Sequence, residues 1–362
     1  VRVGVVGAGV IGQVMHLHFL REMKERFDVV AVCDLSASTG AAVSEEYGVE
    51  HVFTDWREML DLPLDAVLVL TSGSHAPIAI EAVRSGLHVF VEKPMCFSVA
   101  EGAEMVAEAN KAGRKLMVGY PKRYDPAFSR FLQEVGSLSG PKLLRVTTTE
   151  SPFVPYVSHY PMVRFEDVSP DVLAPVIADS DRRLAAAIGT NDAYLVGQYA
   201  NVLLDTLVHE INTVRGVLGE PDSLDFVDMR TGALNVHLSF GDVSAAIHWV
   251  DTPLMTRYSM EFAMMALDGR VTLSFPSPYL RNAPTALTIE GGTAGESSSW
   301  RRDEVTSYES GFKEELVVFY NAIMNDSPIP TDGADSVHDI ALCQSIIRCV
   351  QTKSPVAKPT QY

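Results

Sequence analysis

Residues 1–12 read VRVGVVGAGVIG, a short apolar run from Val3 to Val6 that gives way to glycines at 7, 9 and 12. A strand, then G-x-G-x-x-G, then a helical stretch reaching about Arg26 is the order a dinucleotide-binding turn requires. Glycines there permit a tight turn and close approach of the backbone to a pyrophosphate, and the helix N-terminus offers free N–H groups and positive dipole. Glycine-rich turns that hold no ligand share the pattern. The next apolar run, Val29 to Cys33, separates the two readings. It ends at Asp34, 22 residues past Gly12, near the offset at which a carboxylate takes the adenosine ribose hydroxyls. No Lys or Arg falls between Arg26 and Arg57, whereas Asp28, Asp34, Glu45, Glu46, Glu50 and Asp55 all do. A 2′-phosphate would be repelled there, so NAD is expected in preference to NADP.

Strand-like and helix-like stretches then alternate: 65–71, 87–91 and 115–120 as strands, 74–85 and 98–111 as helices. Ser98 with Glu101 forms a capping-box pattern. Such alternation predicts a parallel, doubly wound sheet with ligands beyond the carboxyl ends of its strands. The stretch HVFVEKPMCF, 88–97, therefore delivers Glu92 and Lys93 to the cofactor side.

After about Pro121 the pattern becomes that of an open, mainly antiparallel sheet. In ALNVHLSF, 233–240, Leu234, Val236, Leu238 and Phe240 alternate with polar residues, and Gly241-Asp242 predicts a hairpin into VSAAIHWV. Further strands are expected at 142–149, 223–230, 257–266 and 270–275, and helices at 310–325 and 334–351. The segment 151–192, rich in Pro, Asp and Tyr, reads either as a substrate-shaping insertion or as a surface excursion. The expected organisation is a nucleotide-binding domain at 1–120 and an α+β domain at 121–362 for substrate binding and oligomerisation, the last helices packing back on the first domain.

Composition agrees with two cores, since 362 residues with 47% hydrophobic content exceed what one core organises. With 29 Lys and Arg against 46 Asp and Glu, the net charge of −17 argues against nucleic acid or an anionic membrane as partner. The cysteines at 33, 96, 343 and 349 form no CxxC pair, which fits a reducing, cytoplasmic setting. The first apolar run, glycine-studded and without a basic leader or cleavage site, is expected to be neither signal peptide nor membrane span.

Residues 194–218 carry Leu204, Leu207, Val208, Ile211, Val214 and Leu218 at helical spacing. Asn201, Asp205, His209 and Asn212 follow at steps of four, four and three, which on an α-helix stacks them along one stripe. Asp205 could then orient His209 as a general base, or the stripe could simply face water. No HExxH and no clustered third ligand accompany the pair, so no metal is expected.

Together, GAGVIG with Gly7, Gly9, Val10, Ile11 and Gly12, then Asp34, TSGSHAPIAIEAVRSGLHVFVEKPM and DTLVHEIN resemble the glucose-fructose oxidoreductase, inositol dehydrogenase and MocA family across almost the whole chain. The resemblance implies an N-terminal Rossmann domain and an NAD-dependent dehydrogenase acting on a secondary hydroxyl of a sugar, inositol or related polyol. It assigns Lys93 to the nicotinamide ribose and the reacting hydroxyl. His209 accepts the proton, Asp205 orients it or the substrate, and Asn212 stands at the substrate. Thr71, His75, Glu92 and Arg123 are placed at the cofactor, with Pro94 after a cis bond. Tyr156, His159, Tyr160, Arg164 and Tyr194 are pocket candidates, Tyr156 and Arg164 foremost. Two other outcomes of such a chain are an NAD-sensing regulatory protein and a redox-neutral NAD-dependent glycoside-cleaving enzyme. The bulky QYANVLLD before His209 departs from the family's glycines and leaves the substrate open. A homodimer or homotetramer formed through the C-terminal sheet is expected.

Overall fold

Valine-rich runs with no polar face build the first sheet. The computed structural model describes residues 1–293 and 295–352. Its first six strands are β1 (Arg2–Val6), β2 (Asp28–Cys33), β3 (His51–Phe53), β4 (Ala66–Val69), β5 (His88–Glu92) and β6 (Leu116–Gly119). All pair in parallel, in the order β3-β2-β1-β4-β5-β6. Val3, Val5, Val67, Leu68, Val89 and Phe90 are fully buried, as strands covered by helices on both faces must be. The order reverses beside β1, and the crevice at that switch point is where such sheets take ligands. Ser98 Oγ accepts Glu101 N–H, as the capping-box pattern predicts, and Ser36 Oγ likewise accepts Thr39 N–H. The sequence reading missed β3 and the helix Trp56–Leu60, whose three and five residues are too short to show a period.

The second sheet has eight strands: β7 (Leu143–Glu150), β8 (Ser223–Arg230), β9 (Ala233–Phe240), β10 (Val243–Asp251), β11 (Ser259–Met265), β12 (Gly269–Phe275), β13 (Ala286–Gly292) and β14 (Ser299–Val305). Their order is β14-β13-β12-β11-β7-β10-β9-β8. β7 and β10 run parallel and the remaining neighbours antiparallel, so the sheet is mixed but mainly antiparallel, and the predicted hairpin joins β9 to β10. In β9, Leu234, Val236 and Leu238 are fully buried while His237 faces out. β13 and β14 were not foreseen, β14 (SWRRDEV) having almost no apolar face to reveal it.

The helices Gly311–Asn325 and Gly333–Thr352 lie on the first sheet's helical layers. Phe319 packs edge-on to Phe90, with centroids 5.8 Å apart, and Phe312 on His16 at 5.6 Å. A Cβ on Gly102 would sit 2.8 Å from Val337, so Gly102 permits the close contact between the Val99–Ala112 helix and the last one. No helix among the described residues is long and apolar enough to cross a membrane.

Candidate active site

The glycine turn is built as the sequence requires. Gly7 has φ +97°, and a Cβ there would meet Leu70 and Thr71 backbone at 2.8 Å, so β1 and β4 approach closely only without a side chain. A Cβ on Gly12 would lie 2.9 Å from Gly7 O, whereas Gly9 faces open space with nothing within 4 Å. Val10 and Ile11, half-exposed, begin the helix. Asp34 holds this turn from the end of β2, accepting Ala8 N–H on Oδ2 and Ser36 N–H on Oδ1, both at 2.9 Å. Open backbone at Gly9 beside a carboxylate fixed 22 residues beyond the last glycine fits the pyrophosphate and adenosine ribose of a dinucleotide.

Lys93 emerges at the carboxyl end of β5, before a cis peptide to Pro94. Its Nζ donates to Asp205 Oδ1 at 2.9 Å and to the Asp205 carbonyl. Asp205 is largely exposed at the mouth of the cleft. The helix carrying it is π-wound from Tyr199 to Leu207, flanked by α-helix over Ala193–Gln198 and Val208–Leu218. Bonding i→i+5 widens the turn and breaks the four-residue stripe. Asp205 consequently pairs with Lys93 and does not orient His209. Asn212 leaves the cleft altogether: it is fully buried, donating to Asp339 Oδ2 at 2.8 Å, so its placement at the substrate is corrected.

His209 Nδ1 is enclosed without a hydrogen-bond partner, and the ring meets Tyr120 edge-on at 6.0 Å. Burial, reinforced by the positive charges of Lys122 and Lys93, lowers its pKa well below 6.5. The imidazole is therefore neutral at physiological pH and able to accept a proton. Lys122, which the sequence reading passed over for its neighbour Arg123, is almost wholly buried. Burial pushes its pKa down to about 8, against the pull of Glu210 and Glu150. Glu210 is fully buried, accepts Thr148 Oγ1 at 2.6 Å, and is pushed up to about 7 by burial. Glu150, at the carboxyl end of β7, is also raised by burial. Two lysines, two carboxyls and a neutral histidine form one electrostatic unit here. Only strand ends hinted at it, since Glu150 closes β7 and Lys122 lies three residues past β6.

Other expected cofactor contacts are redirected. Glu92 turns inward, its Oε1 2.6 Å from His16 Nε2 and its Oε2 accepting Lys93 N–H. Burial acts to raise its pKa, but the bond and charge of His16, with Lys93, leave it lowered. Glu92 thus anchors the strand end from beneath instead of facing the cofactor. Glu315 lies close to this pair, fully buried and with neither oxygen bonded, its pKa raised well above 4.5 by burial and by Glu92. The 2.6 Å between His16 Nε2 and Glu92 Oε1 is a hydrogen-bond distance. His75 is likewise fully buried, Nδ1 2.8 Å from Pro94 O and Nε2 2.7 Å from Thr71 O, and so ties the turn after β4 to the Lys93–Pro94 exit. Thr71 itself is half-exposed beside Gly7. Arg123 packs against Gly216 and Phe128 and donates to the Asn212 carbonyl at 3.1 Å, which places it at the junction of the two domains.

Segment 151–192 carries the helices Val154–Val157 and Pro170–Ile188. The longer of them is tied to the first sheet's helices, where Arg183 bonds Glu101 and Ser74 at 2.9 Å. A cavity of about 680 Å³ lies beneath it, bounded by Gly73, Pro94, Phe97, Leu184, Asn201 and Asp205. Tyr156 stands elsewhere, its hydroxyl donating to Thr256 O at 3.1 Å and accepting Tyr258 N–H at 2.8 Å. His159 stacks on Tyr160, whose hydroxyl donates to Tyr279 O, and Tyr194 is exposed. Arg164 is exposed between Val163 and Phe165, which bond to Gln13 and Thr39 at the dinucleotide turn, so it borders the cofactor cleft and not the cavity.

A doubly wound nucleotide-binding sheet, a mixed sheet behind it and a lysine–aspartate pair at their junction define an oxidoreductase architecture. The chain belongs to the GFO_IDH_MocA oxidoreductases: the family model described as "Oxidoreductase family, NAD-binding Rossmann fold" matches residues 1–120. Inositol 2-dehydrogenase 3 of Saccharopolyspora erythraea is 32% identical over 97% of this chain and 94% of its own. An uncharacterized oxidoreductase of Bacillus subtilis, YrbE, is 33% identical, the match spanning 42% of this chain and 46% of that protein. The solved 3-ketoreductase KijD10 of Actinomadura kijaniata, in complex with NADP, shares the fold at a TM-score of 0.72 and 18% identity, covering 95% of this chain and 96% of that one.

Proposed function

We propose that the protein is an NAD-dependent dehydrogenase that oxidises a secondary hydroxyl of an inositol, sugar or related polyol, or reduces the corresponding ketone. The observation that carries this reading is the meeting of Lys93 with Asp205 beside a neutral His209, at the carboxyl end of β5. Removing hydride from a carbinol carbon requires the hydroxyl proton to leave as well, so a neutral base must adjoin the site. His209 accepts that proton, and the Lys93 ammonium, held on Asp205, polarises the hydroxyl oxygen. NAD supplies the hydride acceptor when bound. Gly7, Gly9 and Gly12 hold its pyrophosphate and Asp34 its adenosine ribose. The family resemblance and the named inositol dehydrogenase relative support the substrate class. The cavity beside Asp205 receives the remainder of the substrate. The outward face of β9, with Asn235, His237 and Ser239, belongs to the sheet surface through which we place a second subunit.

The reading is tested by NAD calorimetry together with nicotinamide absorbance on a panel of inositols and hexoses. Lys93→Met and His209→Ala should bind NAD like the wild type and turn over nothing. Wild-type turnover in both variants would refute it.

A further inference from the structure

Between Tyr160 and Ser169 the chain runs as a belt along the adenosine end of the cleft. Gln13 grips Val163 on both sides, Oε1 accepting its N–H at 2.9 Å and Nε2 donating to its carbonyl at 2.8 Å. Thr39 Oγ1 accepts Phe165 N–H at 3.1 Å, and Asp167 Oδ2 accepts Ser38 N–H at 3.0 Å. The Ser36 and Ser38 side chains bond the same carboxylate and hold its pKa down to about 2. It is therefore ionised near neutral pH. Ser36, Ser38 and Thr39 open the helix Ala37–Tyr47 immediately after Asp34. Hydroxyls and N–H groups at a helix N-terminus are a set suited to a phosphate. Here the belt's own anion takes the Ser38 N–H, and Thr39 Oγ1 is held by Phe165 N–H.

The adenosine 2′-oxygen, which carries the extra phosphate of NADP, belongs to the ribose that Asp34 is placed to meet. We propose that Asp167 is the residue that selects NAD over NADP: its carboxylate, fixed on Ser38, fills the place a 2′-phosphate would need and repels it. This rests on the dinucleotide reading of the cleft. It differs from the acidic end of β2, because the charge arrives from a segment 129 residues beyond Ser38 and can be removed without touching Asp34.

The test is calorimetric titration of the full chain with NAD and with NADP, for the wild type, Asp167→Asn and Asp167→Ser. Asparagine keeps an acceptor for Ser38 N–H and removes only the charge, whereas serine also opens the turn. Both should tighten NADP by at least about tenfold while NAD changes by less than about threefold, and the gain should shrink as salt rises. A constant NADP-to-NAD affinity ratio across the three proteins would overturn the proposal. So would equal weakening of both dinucleotides, which is what a merely structural strap would give. A wild type that binds neither dinucleotide would instead refute the reading of the cleft, and the inference with it.

Discussion

Replacing Glu210 with glutamine removes a charge that the fold accommodates at a cost. The side chain is fully buried, Oε1 takes the Thr148 hydroxyl at 2.6 Å, and Oε2 has no partner. Burial raises its pKa from 4.5 to about 7. A raised folded-state value means the native protein holds this proton more tightly than the unfolded chain does. The resulting stability is complete below pH 4.5 and is lost as the pH rises through about 7. The difference corresponds to about 3 kcal/mol, less whatever attraction Lys122 returns. Lys122 has the opposite sign: lowered from 10.5 to about 8 by burial, it contributes stability that is present above 10.5 and lost as the pH falls through about 8. Glutamine keeps the acceptor for Thr148 and cannot ionise. Urea unfolding should therefore find Glu210→Gln more stable than the wild type by about 2–3 kcal/mol near pH 8, and nearly equal to it near pH 4.5. Parallel stability curves for the two proteins across that range would refute the buried-carboxyl reasoning.

The acid limb of turnover should lie below pH 6.5, because His209 is depressed; Lys122→Met removes one of its two cationic neighbours and should move that limb upward in a pH–rate profile. Asp205→Asn should change thermal stability by less than about 1 kcal/mol, since the carboxylate is mostly exposed, yet lower kcat/KM by freeing Lys93. Arg215 donates to Asp339 Oδ1 at 2.6 Å and Asp335 at 3.0 Å in a nearly closed site. Arg215→Met, which strands the buried Asp339, should cost about 3–5 kcal/mol in chemical denaturation, and adding Asp339→Leu should recover part of it.

The parts of this molecule that obey local rules could be read from residue order. Glycines 7, 9 and 12 with Asp34 mark a tight strand-to-helix turn, and Ser98 caps its helix through Glu101, three residues away. The position of Lys93 was legible because the apolar run of β5 stops at charge, at the carboxyl edge of a parallel sheet. Its neighbour Glu92 misled, since adjacency in sequence does not say that the carboxylate turns inward to His16. The Asn201–Asn212 stripe failed for a backbone reason: π-winding over Tyr199–Leu207 shifts the phase, sending Asp205 to Lys93 and Asn212 to Asp339. The belt was illegible because what fixes it is not periodic. Gln13 with Val163 and Ser38 with Asp167 are single polar contacts between distant residues. Lys122, Glu150 and Glu210 matter only as a group, and burial, which sets their charge, is invisible until the two sheets meet.

Hydride transfer between substrate carbon and nicotinamide is the claim on which the rest depends. It is measured most directly by supplying NAD with a polyol deuterated at the reacting carbinol carbon and weighing the nicotinamide product. The account predicts that deuterium appears on the reduced nicotinamide with the wild type and does not with Lys93→Met. Product formed while the deuterium stays in it, with no net nicotinamide reduction, would contradict the dehydrogenase reading.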